Sequence, residues 1–188
     1  MLPMLLNIAF LDDATRPPLQ KLEGLTPRQR APGEHLRMIH DHLRDNMVTL
    51  GKLIERASAG AVSQAEIASE TDSMAMVSNY RRFGNLCGQH CGIVDTHHTI
   101  EDQHLFPALA LQGPGFKAIA ERLGAEHVVV HQLLEALVDA LNALAAEPTA
   151  ARFEAAREIY HALERVLLSH LGGEEEAMGD ALGYFGLM

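Results

Sequence analysis

The stretch HHTIEDQHLFPAL, residues 97–109, carries a histidine and a glutamate four apart, His97 and Glu101, and then the pair Phe106-Pro107. Each residue turns an α-helix by about 100°, so donors four apart lie one turn apart on one face and can grip one ion. The spacing recurs along the chain. EHVVVH (126–131) offers His127 and His131, and SHLGGEE (169–175) offers His170 and Glu174. IHDHLR (39–44) adds His40 and His42. Three pairs plus a further histidine describe a polymetal site inside a bundle of helices.

The segments around these clusters read as four helices behind an irregular arm. Residues 1–32 contain Pro3, Pro17, Pro18, Pro27 and Pro32 and are expected to be extended or irregular. A single bundle domain is expected over 33–188. Its first helix is predicted from near Gly33 to about Ala57, with the stripe Leu36, Leu43, Met47, Leu50 and Ile54. SAGAVSQAEIASETDS (58–73) reads as a polar connection. The second helix is predicted from about Ser73 to Leu105, because proline disfavours helix at the residue before it. Gln112-Gly113-Pro114-Gly115 reads as a turn, and the third helix runs from about Gly115 to Ala146. The fourth spans about Ala150 to Met178, with Thr149 as N-cap. Short links between the last three helices predict an all-α, antiparallel up-down four-helix bundle.

Composition agrees. Apolar residues make up 47% and Trp is absent, as suits packed helices rich in Ala and Leu. A net charge of −10 without a basic stripe argues against nucleic acid or an anionic membrane surface as partner. Two cysteines, Cys87 and Cys91, make no disulfide framework and read as small core residues. MLPMLLNIAFLDD has no basic start and is cut short by Asp12 and Asp13, so it reads as a docking segment rather than a signal peptide. It would cover its own bundle or join a neighbour's in a homodimer. A cytoplasmic protein is expected.

The candidate donors sit on or beside core-facing stripes. On helix four, Ile159, Leu163, Val166 and Leu167 lead into His170 and Glu174. On helix three, Leu123, Val130, Leu134, Leu137 and Leu141 flank His127 and His131. On helix two, Leu86, Ile93 and Ile100 are taken to carry His97 and Glu101, with His90 two turns earlier on the same stripe, beside the site or along an access path. His40 falls within the helix-one stripe, whereas His42 points to a more polar face, so His40 is the preferred ligand. An unpaired buried carboxylate costs several kcal/mol, which argues for a compensating cation. Imidazole and carboxylate suit Fe, Zn, Mn or Cu. Seven donors exceed the needs of one ion and match two. A rival plan built on Glu101-x-x-His104 and Glu158-x-x-His161 fails, because the latter pair lies off the helix-four stripe. His35 and His161 are read as exposed, His104 as near the end of helix two, and His98 as pointing about 100° away from His97, none with a role in the site.

IHDHLR, HHTIEDQHLFPAL, EHVVVH and SHLGGEE together resemble the hemerythrin-like, or HHE cation-binding, family of the bacterial type, over about residues 33–178. The resemblance implies a non-heme di-iron centre, oxo- or hydroxo-bridged, held by His40, His97, Glu101, His127, His131, His170 and Glu174. It implies O₂ as ligand, with NO or peroxide as further small ligands. The function then expected is oxygen or redox handling or sensing. The alternatives are an enzyme decomposing peroxide or reducing NO, and an iron-buffering or structural bundle. The chain carries Glu174 four residues after His170 and Glu175 five after, so either carboxylate could bridge, with Glu174 preferred. Gly172 and Gly173 fall inside this ligand turn, where a loosened helix would make the last carboxylate mobile.

Overall fold

The computed structural model describes residues 8–62, 90–147 and 149–188. Four helices form the body. Helix α1 is Pro27–Val62. Helix α2, described from residue 90, is α-helical over 90–100, opens into a π turn at Glu101–Leu105 and returns to α geometry at Phe106–Ala110. Helix α3 is Pro114–Ala146 and helix α4 is Ala150–Tyr184. Among the described residues there is no strand. No helix of these residues is long and apolar enough to cross a membrane.

The bounds differ from the sequence expectation at four places, one being the end of α1, which runs on to Val62 instead of stopping near Ala57 and so takes in the first residues of the expected polar connection. Helix α1 begins six residues early, so the irregular arm ends before Pro27. Thr26 and Gln29 bond reciprocally there, which caps the start, and Pro27 occupies the first helical position, where its missing N–H costs nothing. Helix α2 does not stop at Phe106-Pro107. The Phe106 N–H reaches back to the Glu101 carbonyl, five residues away, and the widened turn lets the chain pass proline and continue to Ala110. Helix α4 runs unbroken through Gly172-Gly173 to Tyr184, so the ligand turn is not bulged. The rest of the 58–73 connection and the start of α2 lie outside the described residues.

Helices α1 and α4 are antiparallel and close. Gly33 lies beside Gly179 and Gln29 beside Gly183, while His40 meets Glu175 further along. A side chain at Gly183 would overlap the Gln29 carbonyl, so glycine permits this approach. The links 111–113 and 147–149 are short and make α2, α3 and α4 antiparallel neighbours. Tyr160 of α4 is fully buried and donates its hydroxyl to the Met47 carbonyl of α1.

Two apolar clusters fill the interior. One gathers Leu43, Met47, Val94, Val130, Leu163 and Leu171, among others, and the second Leu36, Phe106, Leu109, Leu123, Met178 and Leu182. Each large side chain so buried contributes roughly 1.5–3 kcal/mol by transfer from water. The arm, residues 8–26, lies along the bundle and packs Ile8 on the first cluster and Leu22 on the second.

Candidate metal centre

A polar layer crosses the bundle between its two apolar clusters. On α1, His40 lies between Leu36 of one cluster and Leu43 of the other. On α2, His98 and Glu101 lie between Val94 and Phe106. On α3, His127 lies between Leu123 and Val130, and on α4 His170 and Glu174 lie between Leu167 and Met178. His40, His98, Glu101, His127, His170 and Glu174 are each 0–1% exposed. His97 joins them from the edge of the layer, half-buried. A layer of this polarity in a hydrophobic core is costly unless something neutralises and binds it.

The donors fall into two groups: His40, His97, Glu101 and Glu174, and His98, His127 and His170. Within each, the ligand atoms lie within 4.8 Å of one another. The Nε2 atoms of His40 and His97 are 3.0 Å apart, and so are those of His127 and His170. Donors at about 2.1 Å from a common ion, at right angles, stand about 3 Å apart. The carboxylates face both groups. Glu101 turns Oε1 to His97 Nε2 (3.4 Å) and Oε2 to His127 Nε2 (3.7 Å). Glu174 Oε2 lies 3.5 Å from His40 Nε2 and 3.4 Å from His170 Nε2.

Outer partners fix the rings. His40 Nδ1 meets Glu175 Oε1 at 2.9 Å, His127 Nδ1 meets Asp102 Oδ1 at 2.9 Å and His170 Nδ1 meets Glu126 Oε2 at 3.0 Å. An Nδ1–H donating to a carboxylate leaves the Nε2 lone pair inward, the arrangement typical of metal-ligating imidazoles. Two ring nitrogens 3.0 Å apart need a proton or a metal ion between them. Among the described residues, both oxygens of Glu101 and of Glu174 and the Nε2 of His98 are buried without a hydrogen-bond partner. Buried polar atoms are rarely left so, and these converge on one region. The residues present fit a bound metal.

Electrostatics carry the same message. Burial pushes His97 down to about 4 and His127 to about 3, and lowers His40 and His98 as well, so these rings stay neutral and able to ligate. His170 is the exception. Burial opposes its charge, but the hydrogen bond to Glu126 and the facing Glu174 carboxylate raise it to about 9. Burial and the charge of Glu174 push the Glu101 carboxyl up. For Glu126, burial is outweighed by hydrogen bonds from His170, Arg16 and Arg122, which hold it at about 2.

Six of the seven sequence candidates meet in this layer: His40, His97, Glu101, His127, His170 and Glu174. His131 stands behind it, with Nε2 3.2 Å from His98 Nδ1 and Nδ1 3.3 Å from Asp95 Oδ1. His98, read from sequence as pointing about 100° away from His97 and outside the site, is fully buried in the layer and stacks on His127 with ring centroids 3.7 Å apart. The expected α2 stripe was one position out of phase. Ile93 and Ile100 are exposed, and the inner face is His90, Val94, His98 and Glu101. Of the helix-one pair, His40 is inside and His42 exposed. Glu175 lies just outside, held by Arg44 at 2.7 Å. His90 is buried on the same face but in neither group. His104 is exposed and His161 pairs with Glu164 at 3.3 Å, so neither enters the layer. Cys91 belongs to the apolar cluster, where burial pushes its thiol up to about 11, and Cys87 lies outside the described residues. Glu126, Asp102 and Arg16 were not singled out from sequence. Glu126 directly precedes His127, but nothing in the spacing announces that it serves a histidine of another helix.

The family model described as the hemerythrin HHE cation-binding domain matches residues 63–182. No significant match was found among curated proteins or solved structures.

Proposed function

The chain belongs to the hemerythrin HHE cation-binding family, and from that premise we propose that its buried layer holds two iron ions and binds O₂ or a related small ligand, NO or peroxide, in oxygen or redox handling. The observation that carries the proposal is the double facing of Glu101 and Glu174, each of which lies 3.4–3.7 Å from a histidine of either group. Carboxylates so disposed suit a bridge between two ions. His40 and His97 would hold one ion, and His127 and His170 the other. The third imidazole for the second ion would come from the hydrogen-bonded pair His98 and His131, with His98 in the inner position. Iron bound there would supply electrons to a small oxidant.

The chain's own residues do the rest. Glu175, Asp102 and Glu126 accept the Nδ1 protons of His40, His127 and His170 and so orient the rings. The leucine-rich clusters above and below exclude bulk water. Neutral imidazoles outnumber carboxylates, which leaves the ions comparatively electron-poor and favours the reduced state.

The test is metal content together with the visible spectrum of anaerobically reduced protein, before and after O₂. Two irons per chain and a new charge-transfer band are expected. A long-lived band marks a carrier or sensor, and O₂ evolution from added peroxide marks an enzyme. One zinc per chain, or no metal after growth with iron, would sink the proposal. The histidine pair separates by mutation. His98→Gln is expected to lose about one iron per chain, and His131→Gln to retain both with weaker binding, by roughly tenfold. The reverse order, read by metal analysis after dialysis, would make His131 the ligand.

A further inference from the structure

The N-terminal arm does more than cover the bundle. Its short 3₁₀ turn, Asp13–Thr15, is capped by Asp12, whose Oδ1 accepts the Ala14 N–H at 3.0 Å. Arg122 of α3 clamps that turn, donating to Thr15 Oγ1 at 2.6 Å and to the Asp12 carbonyl at 2.9 Å. The turn delivers Arg16 into the groove between α3 and α4. There its guanidinium forks onto Glu126, Nε to Oε1 at 2.8 Å and Nη2 to Oε2 at 3.2 Å. Nη2 also donates to the Ser169 carbonyl and hydroxyl oxygens, both at 3.1 Å. Ser169 in turn donates its hydroxyl to Asp13.

Both ends of this grip touch His170. Glu126, whose side chain is 5% exposed, accepts from His170 Nδ1, and Ser169 is the residue before His170 in the chain. Gly173 is cut to fit. A Cβ there would lie 2.7 Å from Arg16 Cζ, so a side chain at this position would force the guanidinium to shift. A planar fork matches a carboxylate at two points and fixes its orientation, which a point charge would not.

We propose that Arg16 is a positioning residue of the metal centre, acting from the arm through Glu126 to set the orientation and donor strength of His170. The inference rests on the metal reading above and deepens it. Outer partners of a ligating histidine fix its ring and raise its basicity, and their loss typically weakens metal binding 10- to 100-fold. Arg122 also bonds Glu126, at 2.7 Å, so losing Arg16 alone should fall at the low end of that range.

The test compares full-length wild type with Arg16→Ala, Glu126→Gln and Leu22→Ala. The last loosens the arm where it packs on the core, away from Glu126. The iron-loaded proteins are mixed with a chelator and followed by their charge-transfer band. Arg16→Ala should release iron about tenfold faster with a shifted band, Glu126→Gln faster still, and Leu22→Ala at the wild-type rate with an unmoved band. Wild-type release and band in Arg16→Ala would overturn the inference, and so would an equal effect in Leu22→Ala, which would make the arm a mere strap. If the wild type takes up no metal, the functional reading fails on its own. The arm is then judged on the metal-free chain by the His170 imidazole N–H in proton NMR. A protected signal in wild type and Leu22→Ala that is lost in Arg16→Ala upholds the link, and identical signals in all three refute it.

Discussion

Replacing Glu101 by leucine will stabilise the metal-free protein and abolish its uptake of two ions. The two effects have opposite signs because the same feature causes both. Glu101 is 1% exposed, and neither carboxylate oxygen has a hydrogen-bond partner among the described residues. Leaving a buried polar group unsatisfied costs about 1–3 kcal/mol, and an apolar replacement of similar volume removes that cost. For a chain of this length each kcal/mol moves Tm by about 2–4 °C, so a rise of about 2–12 °C is expected in calorimetry of the apo-protein. The same substitution removes the carboxylate that faces His97 and His127 together. Metal analysis should then find one ion per chain or fewer. A variant that still binds two irons, or whose apo form melts lower than wild type, would show that Glu101 is a structural residue rather than a bridge.

Loading the wild-type chain with iron will raise its Tm by more than about 10 °C, and chelation will reverse the change. A ligand that binds only the folded state at a thousand times its Kd adds about 4 kcal/mol per site. The donors come from all four helices, so a bound ion ties together elements distant in sequence. The pH dependence has a definite sign. His170 is held protonated up to about 9 in the metal-free layer, and the Glu101 carboxyl is pushed up as well. Both must release a proton to ligate, so affinity will rise as pH is raised from 6 toward 9. Calorimetric titration in buffers of different ionisation enthalpy counts the protons released. An affinity flat across this range would mean that the metal does not displace them.

How far the centre was legible in sequence follows from helix phase. On α1 the stripe Leu36, Leu43, Met47, Leu50 and Ile54 is buried as expected, and it carries His40 inward with it. Helices α3 and α4 carried enough apolar residues to set their phase as well. On α2 the stripe was built on Ile93 and Ile100, and both are exposed. Together with Leu86, which lies outside the described residues, these isoleucines weighed more in that reading than the polar residues that fill the inner face. A core face made of His90, His98 and Glu101 does not look like a core face, because hydrophobicity is the signal that periodicity reads. His98 was therefore missed, and His131 was offered in its place, beside His127, on the neighbouring helix. The helix end was misplaced for a related reason. Pro107 is a sound stop signal in α geometry, and only the π turn before it lets the helix pass. Arg16 and Glu126 were invisible because a contact spanning 110 residues leaves no local pattern.

That π turn also makes the length of the segment matter to the helix. The buried positions on α2 step by three or four residues as far as Glu101 and then by five to Phe106. The π turn absorbs one extra residue, so Glu101 and Phe106 share the inner face at a step of five where α geometry would take four. Deleting one residue of 102–105 would therefore keep the ligands in phase with the Phe106 and Leu109 anchors but would return the turn before Pro107 to ordinary α geometry, in which the proline ring meets a carbonyl. A related sequence one residue shorter between its H-x-x-x-E and its proline would keep the same face inward, and its helix would kink or end at the proline.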